Sequence, residues 1–161
     1  MAEKKLASLL RARQAAEHEA VRSGAKVADV VASRQERLRQ TRERYERLLK
    51  VWAEQEGGER LKALQQGDAQ RVHAMSNYAR RLQRELSQVQ AQISEQEREL
   101  ESAVVRLRMA EEDIGLAAIE RKKIEALIAE QEHRESTANA LVDELLTEEL
   151  SRVQGKGGGK E

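Results

Sequence analysis

Apolar residues recur along this chain in alternating steps of three and four. From Leu6 the steps land on Leu10, Arg13, Glu17, Ala20, Gly24, Val27, Val31, Arg34, Leu38, Thr41, Tyr45, Leu48 and Trp52, and nine of these fourteen positions, Leu6 included, are apolar. From Val72 they land on Met75, Ala79, Leu82, Leu86, Val89, Ile93, Gln96, Leu100, Ala103, Leu107, Ala110, Ile114, Ala117, Arg121, Ile124, Ile128 and Gln131, with fifteen of eighteen apolar. A seven-residue repeat held this long keeps one narrow stripe facing a partner helix through left-handed supercoiling, whereas the apolar stripe of a globular surface helix drifts and ends sooner. Two arrays therefore predict two long helices that pair. The second seam weakens at Glu135 and resumes at Ala138, Val142 and Leu145.

Between the arrays lie Gly57-Gly58 and Gly67-Asp68, with Leu61 and Leu64 out of phase with the first seam. Reversal is expected near Gly67, because glycine takes the backbone angles a turn needs and Asp68 can cap the helix that follows. Gly57-Gly58 is then a weak point or a local unwinding; the opposite assignment of the two glycine sites stays open. The expected fold is all-α, a long two-helix antiparallel coiled-coil hairpin. It is a single coiled coil over 1–153, with arm one at about 4–65, a turn region at 57–68, arm two at about 69–153, and a flexible tail at 154–161. At 1.5 Å per residue the first arm would span about 90 Å, which makes a thin, monomeric rod.

Composition agrees. The 161 residues include no Pro, Cys or Phe, and aromatics are limited to Tyr45, Trp52 and Tyr78. Without proline nothing interrupts a helix, and with so few aromatics an ordinary globular core is hard to fill. No disulfide or thiolate chemistry is available, and no run approaches a signal peptide or a membrane span, so a cytoplasmic protein is expected. The 29 basic and 29 acidic residues balance, which argues against a general polyanion binder and hence against nucleic acid as partner. Arg34 to Lys50 holds seven basic and three acidic residues, Glu95 to Asp113 seven acidic and three basic. Interleaved Glu36, Glu43 and Glu46 make the first stretch a salt-bridged outer face, and the opposite biases can set which helix pairs with which.

Chemical motifs are absent or incomplete. Glu130-x-x-His133 has the spacing of half a carboxylate-bridged di-iron site, but the chain has no second Glu-x-x-His. His18 and His73 are isolated, and neither a nucleophile elbow nor a phosphate loop occurs. No catalytic residue, metal or cofactor is expected. The seam is interrupted by Arg13, Glu17, Arg34, Gln96, Arg121 and Gln131. Such residues either fix register in a coiled coil that meets a further partner or merely snorkel past it.

The opening Leu6-x-x-Leu9-Leu10-x-Ala-Arg13, the mid-chain Gly67, the run Tyr78-Ala-Arg-Arg-Leu82 and the charged final helix with a loose tail together resemble the FliJ/YscO family, the central-stalk proteins of bacterial type III export. FliJ serves the flagellar apparatus and YscO the injectisome. The resemblance implies an antiparallel coiled coil like that of the ATP synthase γ subunit. Its paired terminal ends would sit in the pore of a hexameric export ATPase (FliI-like), and the part nearer the turn would meet an export gate protein (FlhA-like), with export chaperones as further candidate partners. It also implies a cytoplasmic protein peripherally associated with a membrane-embedded apparatus. In the family an aromatic residue followed four later by Leu faces the gate; Tyr78 and Leu82 occupy that spacing here, with Val89 continuing it. The absence of Phe and the extra Gly57-Gly58 depart from the family pattern. A generic coiled-coil scaffold that pairs between chains is the alternative.

Overall fold

The computed structural model describes residues 2–156. They form α1 (Ala2–Glu54), a π-helical segment (Gln55–Glu59), α2 (Arg60–Gln65) and α3 (Ala69–Lys156), with no strand among them. The two long helices, α1 and α3, pack against each other as an all-α hairpin. The chain divides into two compact units, Arg22–Glu112 and Met1–Val21 with Asp113–Glu161.

The Arg22–Glu112 unit holds the reversal. Gly67 has φ +68°, in the left-handed region where a side chain is disfavoured. Its N–H donates to the Leu64 carbonyl at 3.3 Å, and the Gln66 N–H donates to Lys62 at 3.0 Å, so the last carbonyls of α2 are satisfied. Asp68 then caps α3, its Oδ1 accepting from the Arg71 N–H at 3.1 Å. The seam on either side is buried: Val31, Leu38, Leu82, Val89 and Ala103 are all less than a tenth exposed. This apolar burial supplies most of the pairing energy, at roughly 25 cal/mol per Å². Arg42 pairs with Glu97 at 2.8 Å and Arg44 with Glu85 at 2.7 Å. Arg34 Nη1 donates to the Glu99 carbonyl at 2.7 Å. The two exposed ion pairs each add little stability but help to set register, as does the part-buried bond from Arg34. Of these contacts, Arg42 with Glu97 is an ion pair between the basic stretch of α1 and the acidic stretch of α3, whereas Glu85 lies outside that stretch.

In this unit the chain stays helical through most of the expected turn region at 57–68. Gly57-Gly58 lies inside the π segment, and the backbone leaves the helix only over 66–68. A π turn absorbs one extra residue without ending the helix, and it shifts the phase beyond it. Ala63, fully buried, accordingly stands one place later than Lys62, which the three-four stepping from Trp52 would reach. Leu61 and Leu64 are left more than half exposed.

The other unit pairs the first turns of α1 with α3 from Asp113 onward. Leu6, Leu10 and Ala20 are partly covered and Ile124 is buried. Arg121 and Glu17, both seam positions, bond each other across the pair, and Arg121 Nη1 also donates to Glu125 at 2.7 Å. Arg13 lies 3.9 Å from Glu120. Coverage ends at Gln131: every residue from Glu132 to Gly155 is exposed although the helix continues to Lys156. The repeat at Ala138, Val142 and Leu145 therefore lies on a bare helix, and α3 runs past the expected start of the tail at 154. Residues 157–161 of that tail lie outside the described residues.

Candidate functional site

Two surfaces stand out, one in each unit. The first surrounds the turn. Leu61 and Leu64 on α2 and Tyr78 on α3 are exposed by 59%, 57% and 39%, three large side chains on the two sides of the turn. Leu64 lines a shallow depression with Ala63, Gly67, Val72 and His73. Tyr78 reaches solvent because it flanks the seam instead of lying on it. Leu82 and Val89 are placed differently: they are 5% and 1% exposed and carry the packing of the hairpin. A partner would meet neither without separating the helices, so of the three residues singled out from sequence only Tyr78 is presented.

The second surface is the bare end of α3. Leu141, Val142, Leu145, Leu146, Leu150 and Val153 are each more than half exposed. Their spacing at three, four and seven places them on one side of the helix. The stripe continues the seam phase but is wider than an a/d seam, because Leu141, Leu146 and Leu150 flank the seam positions. Asp143, Glu144, Glu148 and Glu149 make its surroundings acidic. Sequence reading reached Val142 and Leu145 as seam and missed the other four, because a period reports which face is apolar and says nothing of what covers it.

Elsewhere the polar groups serve structure. Glu36 is held at about 2, below the usual carboxylate range, by hydrogen bonds first from Arg39 and then from Gln40. Glu120 is lowered chiefly by Lys123, with a smaller contribution from Arg13. Arg121 is raised by Glu125 and then by Glu17. Glu130, of the partial di-iron spacing, is engaged by Arg134 at 2.6 Å. Among the described residues no group of three or more His, Asp or Glu is arranged to hold a metal, and no helix is long and apolar enough to cross a membrane.

No protein-family model, curated protein or solved structure matches the chain.

Proposed function

We propose that the chain is a non-enzymatic stalk of a type III protein export ATPase, flagellar, with the injectisome as the alternative setting. In this reading one part engages the hexameric ATPase ring and another meets the export gate. The observation that carries it is the final stretch of α3, a helix continuing beyond its partner with six large apolar side chains uncovered. An apolar patch of this kind on an otherwise highly charged chain marks an interaction site. A wide stripe fits a sleeve of several surrounding elements better than it fits one opposing helix. The exposed Tyr78 supplies the gate-facing contact.

The test is co-purification with a hexameric export ATPase while ATP hydrolysis is measured. The full chain is expected to bind and stimulate; a chain ending at Thr137 is expected to do neither while remaining helical. Equal stimulation by both would overturn the assignment of the bare helix, and no binding by either would overturn the stalk.

The same bare stripe favours a second reading, a scaffold in which copies pair through Leu141 to Val153. Light scattering separates the two: the stalk stays monomeric as concentration rises, whereas the scaffold dimerises and loses the dimer when Leu145 and Leu150 become Asp.

A further inference from the structure

From Ala69 to Ser94 the chain carries Arg71, Arg80, Arg81 and Arg84 and a single acidic residue, Glu85. The basic stretch of α1 is different, because three of its seven cations are ion-paired: Arg39 bonds Glu36 and Glu43, Arg42 bonds Glu97 and Arg44 bonds Glu85. That last pair matters here, because it neutralises the one carboxylate of α3 before Glu95; Asp68, at the cap, accepts from the Arg71 N–H. No described carboxylate lies within ion-pairing distance of the guanidinium groups of Arg71, Arg81 or Arg84, and all three side chains are exposed. Arg71 precedes Tyr78 by seven positions and Arg81 follows it by three, spacings that bring these side chains to one flank of the helix. Arg84, three beyond Arg81, extends the row around the helix.

The geometry points to this flank as a docking surface for an acidic protein face, with Tyr78 as the apolar anchor and Arg71, Arg81 and Arg84 as its charge contacts. The inference rests on the reading that the Tyr78 region meets the export gate, and it adds the chemistry of the surface met there. A half-exposed tyrosine beside unpaired arginines is the composition that dominates protein interfaces, since both side chains are large and able to hydrogen-bond. Planar guanidinium groups match carboxylates two bonds at a time. A lipid surface fits less well. Apart from Tyr78 this flank has no large apolar side chain to enter a bilayer, and the apolar side of the helix, with Ala79, Leu82 and Val89, is buried in the seam.

The experiment measures the affinity of the full chain for the cytosolic domain of the export gate across a salt series. Wild-type binding should weaken steeply with salt, by about tenfold between 50 and 300 mM. Arg81→Glu with Arg84→Glu should lose at least about tenfold at low salt and abolish the salt dependence, with helix content unchanged. Glu85→Gln should tighten binding, and Arg44→Ala, which frees the Glu85 carboxylate without touching the flank, should weaken it. A Tyr78→Ala defect with no effect of the arginine pair, or salt-independent wild-type binding, overturns the acidic face while leaving the gate contact standing. Wild-type binding to phosphatidylglycerol vesicles in place of the gate domain overturns it in favour of lipid. If the wild type binds neither at low salt, both this inference and the gate reading fall.

Discussion

Arg121 of α3 and Glu17 of α1 form an ion pair within the seam, their side chains only 24% and 23% exposed. Each residue taken singly is a defect in an apolar stripe, but the two satisfy each other across the helix pair. Removing Glu17 leaves the shielded Arg121 with Glu125 alone, whereas replacing both Glu17 and Arg121 with apolar residues leaves no charge on the seam there. Glu17→Ala should therefore lower the thermal midpoint by about 3 °C, and Glu17→Leu combined with Arg121→Leu should restore or exceed the wild-type midpoint. Thermal melts followed by circular dichroism decide this. An additive loss in the double variant would show that the pair does not couple the helices.

Val89 tests the seam itself. At 1% exposure it has no route to solvent, so Val89→Asp should cost several kcal/mol through burial of a charge, about 3 or more. Gln90→Asp, one position on and exposed, should stay within about 0.5 kcal/mol. Chemical denaturation of both variants checks the contrast, and equal losses would place the buried face elsewhere.

The glycines separate by conformation. Gly67 has φ +68°, whereas a Cβ added at Gly57 or Gly58 meets nothing within 4 Å. Gly67→Ala should destabilise by about 1 kcal/mol, and Gly57→Ala or Gly58→Ala should stabilise by about 0.5–1 kcal/mol through helix propensity. A stabilising Gly67→Ala would mean that the chain reverses somewhere else.

Glu36 gives a pH signature. Its folded value of about 2 lies below the ordinary carboxylate range, first because of the Arg39 hydrogen bonds. A depressed carboxylate contributes stability that is complete above its unfolded value and is lost as pH falls through the folded one. That contribution should fade between about pH 4.5 and 2. A carboxyl-carbon NMR titration should show the low midpoint, and Arg39→Ala should return it toward the ordinary range. An unchanged midpoint in the variant would remove Arg39 as the cause.

The end of α3 should behave as an isolated helix. Amides from Ala138 to Val153 should exchange with solvent far faster than those around Val89, because a helix without tertiary cover is marginal in water. Truncation after Thr137 should leave the midpoint within about 2 °C. Strong protection there would mean that the stripe is covered in solution.

All fourteen positions stepped from Leu6 and all eighteen from Val72 are at least partly shielded, so the paired face was legible in spacing alone over those two arrays, though not at Ala63 or beyond Gln131. Asp68 and Gly67 were legible because capping and left-handed geometry restrict residue type locally. The π segment was not, since two glycines look alike whether a helix ends or takes in one more residue. Leu82 and Val89 illustrate the limit at the site. A position on the seam reads as core and as contact surface equally well, and only burial tells them apart. Leu141 and Leu150 show the converse, because their side chains resemble core and have nothing over them.

The five residues Gln55–Glu59 also bear on how the chain tolerates changes in length. In a paired helix each residue added or removed rotates everything beyond it by about 100°, so an indel within α1 would turn the whole downstream stripe away from its mate. The π turn already holds one surplus residue. Deleting Gly57 or Gly58 would convert it to ordinary α-helix and leave Ala63 facing α3, whereas deleting Arg42 would rotate Ala63 out. At this place within the paired helices, the residue count can change by one without the two sides losing step.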